Sequence, residues 1–236
     1  MIESFEKTKL AGSIASGALD EVNNIIKPGI STVEIDKLCY QFINDHKAFS
    51  APLYYRGFPK SCCTSTNHVV CHGIPSEKIL NDGDIVNVDV TAVKDGWHGD
   101  TSRMFIVGEC SIKAKKLIKI TYTAMMKAIE TIKANVKIGN IGYTIQKSVE
   151  AEGFSVVRDF CGHGIGKKFH ESPNVLHYGE KNSGQELKEG MIFTVEPMIN
   201  SGKFETKTLK DGWTAVTKDK SLSAQFEHTV GVTKVG

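Results

Sequence analysis

The sequence predicts an α/β protein of the α+β kind, with helices packed over a curved, mostly antiparallel sheet and two equivalent halves related by a pseudo-two-fold axis. Three observations predict it. Helical periodicity alternates with runs rich in Val, Ile, Thr and Phe, one segment is repeated, and acidic residues interrupt apolar runs in both halves. Because no linker-like stretch separates the halves, we expect one domain over 1–236, with internal halves at about 1–110 and 111–236.

Composition narrows the class of protein. A net charge of +2 gives no electrostatic reason to expect direct binding of nucleic acid. No apolar run approaches the roughly 20 residues that cross a bilayer, and the first ten residues lack the apolar core of a signal peptide. The six cysteines include no CxxC pair, which predicts reduced, mostly structural thiols. We therefore expect a cytoplasmic protein that has no membrane partner.

The elements follow from local patterns. Leu10, Ile14 and Ala18 recur at i, i+4 in the first predicted helix, and Ser31 with Glu34 forms a capping box before the second. The predicted helices cover about 4–26, 31–47, 112–134 and 140–152. The predicted strands cover 85–92, 99–107, 191–198 and 224–234.

An internal repeat supports two equivalent halves. LNDGDIVNVDV (80–90) aligns without gaps on LKEGMIFTVEP (187–197), which places Asp89 opposite Glu196. Two shorter matches precede it in the same order: CHGI with GHGI, which places His72 opposite His163, and KPG (27–29) with KIG (137–139). Duplication would bring one strand carboxylate from each half to their shared boundary, where ligand sites tend to form.

The best-defined local structure is a hairpin around Asp95-Gly96, a pair that favours a type I′ turn. With a two-residue turn there, Asp100 faces Thr91. Asp89 lies two residues further along the strand of Thr91 and therefore projects from the same face. Asp89 and Asp100 become diagonal neighbours, with Cβ atoms roughly 7 Å apart.

Acids inside apolar strands need an explanation, because an ionised carboxylate there loses several kcal/mol of hydration. Asp89 and Asp100 could lie on a solvated edge or pair with Arg or Lys. A divalent cation is the alternative, since it would keep both groups ionised. Glu196, at the repeated position, and Glu227, in a further apolar run, favour the cation because four such acids suggest a common cause.

His163 is the candidate nitrogen ligand. It lies in CGHGIGKKFHESP, whose glycines disfavour a helix and permit close approach of the backbone, and which lacks the pattern of a phosphate-binding loop. An oxygen-rich site with one imidazole favours Mn, Fe(II) or Co over structural zinc, and four carboxylates can bridge two ions about 3.5–4 Å apart. Structural or surface roles are expected for His46, His68, His98, His177 and His228.

Six motifs in order resemble one known family. VCHGIP (70–75), DGDIVNVDV (82–90), HGDTSRMF (98–105), CGHGIGKKFHESP (161–173), FTVEPM (193–198) and SAQFEHTV (223–230) are similar to methionine aminopeptidases of the bacterial type I, over nearly the whole chain. The resemblance implies the duplicated pita-bread fold. It also implies removal of the initiator methionine from nascent proteins by two-metal-assisted hydrolysis, favouring a small second residue.

The resemblance assigns roles by position. It implies that Asp89, Asp100, His163, Glu196 and Glu227 ligate two divalent ions, with Co, Mn, Fe and Zn all left open.

For the substrate, the resemblance implies that His72 and His170 act on the reacting peptide and not on the metal. As a mechanistic hypothesis, Glu196 accepts the proton of the attacking water. The residues that it implies for the methionine pocket are Tyr55, Phe58, Cys63, Phe169 and Trp213. Without the resemblance, aromatic side chains and a cysteine predict only ordinary core.

The expected partners are nascent polypeptide N-termini, with the ribosome as a candidate and a monomer as the expected state. The short N-terminal segment, which has no zinc-binding extension, looks bacterial or organellar. The second half carries no large insertion, which argues against the type II branch. The chain stops at HTVGVTKVG, where relatives usually continue, which makes the part of the site at Glu227 the least secure. Two rivals stay open: a peptidase that cleaves before proline, and a non-catalytic binding protein on the same scaffold.

Overall fold

The computed structural model describes residues 2–234, without the side chain of Ile2. The helices in this part of the chain are α1 (Ile2–Ile25), α2 (Thr32–Asp45), α3 (Ile112–Ile129) and α4 (Gly139–Glu150). All four were predicted, and α3 ends five residues earlier than expected. At the start of α2, the carboxylate of Glu34 accepts a hydrogen bond from the backbone N–H of Ser31 at 2.8 Å, as expected for a capping box.

Every strand pair between the named strands is antiparallel, as the sequence predicts. The strands are β1 (Phe49–Ser50), β2 (Cys63–Thr66), β3 (Val69–Cys71), β4 (Ile85–Lys94), β5 (Trp97–Ile106), β6 (Ser155–Val156), β7 (Gly162–Gly164), β8 (Glu171–Val175), β9 (Ile192–Val195), β10 (Met198–Asn200), β11 (Thr206–Thr208), β12 (Ala215–Thr217), β13 (Ser223–Gln225) and β14 (Glu227–Gly231). The main sheet runs β1-β4-β5-β14-β9-β7-β8, and β2 also pairs with β4. Two three-stranded sheets, β13-β10-β6 and β11-β12-β3, flank it.

The hairpin has the predicted register. Thr91 pairs with Asp100 and Asp89 pairs with Ser102. Its turn has positive φ at both central residues, 51° at Asp95 and 77° at Gly96, as a type I′ turn requires. Asp89 and Asp100 therefore project from the same face of the sheet, as the alternation of side chains predicted.

The prediction of continuous strands over 191–198 and 224–234 was wrong. The first is split between β9 and β10 at Glu196-Pro197, and the second between β13 and β14 at Phe226. At the first break the chain passes from the main sheet into the β13-β10-β6 sheet, and at the second it passes from that sheet back into the main sheet. Pro197 cannot donate to a ladder, which explains the first break. Glu196 and Glu227 therefore lie at the two junctions where the chain crosses between the main sheet and the β13-β10-β6 sheet.

The repeat of 80–90 in 187–197 is structural. Gly83 has φ of 90° and donates to the carbonyl of Val107 at 2.8 Å; Gly190 has φ of 92° and donates to the carbonyl of Val232 at 2.9 Å. Each glycine thus makes the same turn before its strand. The equivalence of β4 and β9 carries Asp89 and Glu196 to corresponding positions.

The match of KPG with KIG is displaced in the structure. Gly29 donates to the carbonyl of Leu80 at 2.8 Å, and its counterpart is Asn135, which donates to the carbonyl of Leu187 at 2.9 Å. Both residues have positive φ, 96° and 68°. The true counterpart of Gly29 is therefore four residues before Gly139, because the turn geometry is repeated while the glycine is not.

The match of CHGI with GHGI was also wrong. His163 lies on β7, which pairs with β9. The strand that pairs with β4 at Asp89, on the side away from β5, is β2, in which Cys63 lies opposite Asp89. The counterpart of β7 is therefore β2. His72 lies beyond β3 and is not the symmetry equivalent of His163; the shared letters are a coincidence of short glycine-containing segments.

The helices and the acids occupy opposite faces of the main sheet. In the first half, Leu19 of α1 and Ile35 of α2 pack with Val88 of β4, all at most 1% exposed. In the second half, Leu117 of α3 packs in a cluster that includes Phe193 of β9. Because side chains alternate along a strand, Asp89 and Thr91 face away from these cores.

The cysteines and the helices are the two features on which composition made predictions for the whole chain. All six cysteines are free and five are buried, in keeping with reduced, structural thiols. Among residues 2–234, no helix combines the length and the apolarity that crossing a membrane would need.

The crossing of α1 over β5 depends on Gly99, whose Cα lies against the backbone of Gly12. A Cβ at Gly99 would fall well inside contact distance of the Gly12 nitrogen, whereas a Cβ at Gly12 would meet nothing within 4 Å. We expect Gly99→Ala to lower the free energy of unfolding by about 1–3 kcal/mol. Gly12→Ala, the matched control in the interior of α1, should raise it by up to about 1 kcal/mol. Urea titration of both variants measures this, and equal effects would contradict the contact.

Candidate active site

A cavity of about 560 Å³ opens on the face of the main sheet that the helices leave uncovered. Every site residue predicted from the sequence lines it. These are Tyr55, Phe58, Cys63, His72, Asp89, Asp100, His163, Phe169, His170, Glu196, Trp213 and Glu227. A larger groove of about 800 Å³ lies on the opposite face, where α1 crosses β5 and β14. The candidate site is thus identified by its converging acids and imidazoles and not by its size.

Five potential ligands converge at the floor of the cavity. Ligand atoms of Asp100, His163 and Glu227 lie within 4.8 Å of one another. The Nε2 of His163 is 3.9 Å from Asp100 Oδ2 and 3.6 Å from Glu196 Oε1. Asp100 and Glu227 are the carboxylates beside Asp89. Both halves contribute, since β4 and β5 meet β14 and β9 in the sheet order.

The charges of these acids are not balanced by basic residues. Burial raises the pKa of Asp89 to about 7 and that of Glu196 to about 8. The pKa values of Asp100 and Glu227 lie well above their usual range, because burial and then the neighbouring carboxylates disfavour the ionised forms. Within residues 2–234, no Lys or Arg forms an ion pair with any of the four. The alternatives of a solvated edge or of Arg and Lys partners do not apply here.

The donor set fits divalent cations. Buried Asp89 Oδ1 and Glu227 Oε1 have no hydrogen-bond partner among the described residues, although buried acceptors are normally satisfied. Burial also lowers the pKa of His163, which favours the neutral imidazole that a metal requires. Oxygen donors with one imidazole match Mn, Fe(II) or Co coordination better than a thiolate-based structural zinc site.

Threonines orient two of the carboxylates. Thr91 Oγ1 donates to Asp100 Oδ1 at 2.7 Å, and Thr194 Oγ1 donates to Glu196 Oε1 at 2.8 Å. Thr194 Oγ1 also accepts from the backbone N–H of His163 at 3.0 Å. Neither threonine was predicted to orient a ligand, although Thr91 was predicted to face Asp100. Thr194 stands two residues before Glu196 on the same strand face, and that spacing was the available signal.

The glycines around His163 bring β7 close to its neighbours, as predicted. A Cβ at Gly162 would collide with the carbonyl of Thr194, and one at Gly164 with the carbonyl of Ser172. The close approach places His163 directly beside the strand that leads to Glu196.

A buried histidine outside the predicted set contacts Glu196. The Nε2 of His177 accepts a hydrogen bond from the backbone N–H of Glu196 at 3.1 Å, and His177 is 1% exposed. Burial lowers its pKa to about 3. His177 was expected to have a structural or surface role, because nothing local links it to a residue 19 positions later.

His72 and His170 line the same cavity and are not among the five convergent ligands. His72 has a positive φ of 55°, unusual for a residue other than glycine, and its ring lies 5.5 Å from that of Phe160. The Nδ1 of His170 is 3.1 Å from the hydroxyl oxygen of Tyr55. The pKa of His170 is lowered to about 3 by burial and by nearby groups, among them His163 and Arg56. His170 is therefore neutral near pH 7.

Aromatic rings form the wall beside these histidines. Phe58 and Trp213 pack edge to face at 5.2 Å, and Tyr55 packs edge to face with Phe169 at 5.0 Å. Cys63 is buried in the same wall, and burial, reinforced by nearby carboxylates, raises the pKa of its thiol well above the usual value. The wall is apolar, and Cys63 is a thiol there and not a nucleophilic thiolate.

The acids predict how stability depends on pH without metal. Asp89 and Glu196 have folded-state pKa values of about 7 and about 8, whereas unfolded carboxyls have pKa values of roughly 4. Between pH 4 and pH 8, roughly, the folded state therefore binds more protons than the unfolded state, and stability falls as pH rises. The buried histidines have the opposite effect, because they make stability rise with pH, but only below about pH 6.5, their pKa in the unfolded state. We therefore expect the Tm of the metal-free protein to fall as pH rises from about 6.5 to 8. Scanning calorimetry in EDTA measures it; added Mn²⁺ should raise Tm most at pH 8, and a pH-independent Tm would contradict the assignment.

Comparison with known proteins identifies the family and the fold. The model of metallopeptidase family M24 matches residues 6–234. The chain is 57% identical to a methionine aminopeptidase of Rickettsia prowazekii over 235 residues, 99% of this chain and 91% of that protein. It is 54% identical to the methionine aminopeptidase of Escherichia coli K12, covering 99% and 89%. The crystal structure of the Rickettsia prowazekii enzyme superposes with a TM-score of 0.98 at 56% identity, covering 99% of this chain and 95% of that one.

Proposed function

The chain belongs to metallopeptidase family M24, and from that premise we propose that it is an aminopeptidase that removes the initiator methionine from proteins. The relatives named methionine aminopeptidase span almost the whole chain at more than half identity. Its fold is the duplicated pita-bread fold of those enzymes. The observation that carries the proposal is the convergence of four buried acids and one imidazole, contributed by both halves, beside an aromatic wall.

Five side chains would hold two divalent ions: Asp89, Asp100, His163, Glu196 and Glu227. Their support is the set of unpaired carboxylate oxygens and the absence of basic partners within residues 2–234. Co, Mn, Fe and Zn are the candidates. When bound, the ions would supply Lewis-acid activation of water and of the scissile carbonyl.

The protein's own residues would move the protons and stabilise the developing charge. Glu196 accepts the proton of the attacking water and returns one to the leaving amine. Its raised pKa of about 8 in the metal-free protein reflects the burial that strengthens electrostatic interactions in this cavity. His170, and His72 beside it, hydrogen-bond the scissile amide and the tetrahedral intermediate.

The aromatic wall would select methionine. Phe58, Trp213, Tyr55 and Phe169 enclose an apolar, polarisable space, and Cys63 contributes a thiol that suits the thioether. The ions at the floor of the cavity would limit cleavage to a chain end. A small second residue is favoured because the ring of His170 stands only 4.1 Å from that of the ligand His163 and narrows the space beside the metal ligands.

Nascent polypeptide N-termini are the proposed substrates. We place the protein in the cytoplasm as a monomer, with the ribosome as a candidate partner.

Peptide cleavage by the metal-free protein, reconstituted with each ion in turn, tests the proposal. We expect release of methionine from Met-Ala-Ser with at least one of Mn²⁺, Fe²⁺, Co²⁺ and Zn²⁺, none in EDTA, and little cleavage of Xaa-Pro peptides. Preferential cleavage before proline would favour the related proline-directed peptidases. No cleavage with any ion would favour a binding protein.

A further inference from the structure

The backbone of Glu196 lacks the support that the backbone of Asp89 has. Asp89 lies inside the ten-residue strand β4, with Ser102 opposite it on one side and Cys63 on the other. Glu196 lies one residue beyond β9, and Pro197 follows it. The backbone N–H of Glu196 therefore has no ladder partner, and a buried N–H without an acceptor is costly.

We propose that His177 is a positioning residue for Glu196, its imidazole replacing the missing strand partner and fixing the carboxylate that the reaction uses. The inference rests on the proposed function for the role of Glu196. The N–H of Glu196 donates to His177 Nε2 at 3.1 Å. Because Nε2 accepts, the ring is held neutral with its proton on Nδ1.

The imidazole is itself held in place by α4. Gly142 of α4 lies so close to the 176–178 segment that a Cβ there would collide with the carbonyl oxygens of Leu176 and Tyr178. The side chain of Gln146, one turn further along α4, accepts a hydrogen bond from the N–H of Gly179 at 3.0 Å. The segment is thus fixed on both sides of His177, which is 1% exposed.

The hydrogen bond from the N–H of Glu196 to His177 adds to the contacts that hold the side chain of Glu196. Thr194 donates to its Oε1 at 2.8 Å and Gln225 approaches its Oε2 at 3.4 Å, so the side chain is held from two directions. His177 holds its backbone N–H at the point where the chain leaves the main sheet. Loss of the acceptor would let the peptide turn and would rotate the carboxylate away from His163.

Three variants separate positioning from general stability. His177→Leu keeps apolar volume and removes the acceptor; His177→Gln offers an amide oxygen near the position of Nε2. Val22→Ala removes buried volume from α1 in the other half and serves as the control for lost stability. Each full-length protein is stripped of metal and titrated with Co²⁺, and the visible Co²⁺ spectrum, the Kd for Co²⁺, kcat, KM and Tm are recorded.

We expect His177→Leu to lower kcat and weaken Co²⁺ binding by about 10–100-fold, with an altered Co²⁺ spectrum and KM close to the parent value. His177→Gln should restore most of each quantity. Parent-like kcat and spectrum in His177→Leu would overturn the inference, as would a Gln variant no better than the Leu variant. The inference would also be overturned if Val22→Ala, with a similar fall in Tm, lost as much kcat and Co²⁺ affinity as His177→Leu does. A parent protein that releases no methionine would overturn the proposed function, and the Co²⁺ spectra would still decide the positioning of Glu196.

Discussion

Replacing His170 by alanine is expected to lower kcat for methionine release by about 10²–10³-fold, the usual cost of losing one donor to a developing oxyanion. His170 is neutral near pH 7, because burial and neighbouring groups lower its pKa to about 3, so its ring can donate a hydrogen bond without carrying charge. It is not among the five convergent ligands, and its ring lines the cavity without being part of the hydrophobic core. Fold and metal content should therefore be unchanged. Steady-state kinetics, circular dichroism and elemental analysis of one preparation measure all three.

The matched control for this variant is His46→Ala. His46 is an exposed histidine at the end of α2, where its ring packs against Phe42, and it lines no part of the cavity. Its kcat should equal that of the parent. Turnover of His170→Ala within a few-fold of the parent, or loss of metal from it, would refute the assigned role.

The parts of the site that could be predicted from the sequence are local ones. The turn at Asp95-Gly96 fixes the register of β4 with β5, and that register alone puts Asp89 and Asp100 on one face. The 80–90 repeat predicted a second acid at the equivalent position, because Gly83 and Gly190 impose the same turn in both halves. Turn geometry and the alternation of side chains along a strand depend on a few neighbouring residues, so both can be predicted from one sequence.

Other features depend on contacts between distant segments. The pairing of Glu227 with Ser102, which joins the halves, has no local signal. The breaks that move Glu196 and Glu227 from one sheet to another depend on how the small sheets pack, so both strands were predicted too long. His177 lies outside the six motifs, and its contact with Glu196 requires the fold to be known. The short matches at His72 failed because a few shared letters do not determine which strands pair.

The hairpin also gives the second large effect: Asp100→Asn should lose at least one divalent ion. Asp100 Oδ1 already accepts from Thr91, so Oδ2 is the oxygen that faces His163. An amide would place an NH₂ group there, or turn it toward the hydroxyl of Thr91, and would remove one negative charge in either orientation. Affinity for one ion should fall by more than about 100-fold, since losing merely an outer-shell partner costs about 10–100-fold.

The metal-free Asp100→Asn protein should at the same time be more stable than the metal-free parent near pH 8. The pKa of Asp100 is raised well above its usual range by burial and by Asp89, so removing its charge relieves repulsion that folding otherwise has to overcome. Asp95→Asn, in the exposed turn of the same hairpin, is the control, because Asn suits a type I′ turn and no ligand is changed. Elemental analysis and calorimetry with and without Mn²⁺ measure both effects. A gain in metal-free stability combined with a loss of metal is the signature of a ligand held under electrostatic strain, whereas parent-like metal content would exclude Asp100 from the metal centre.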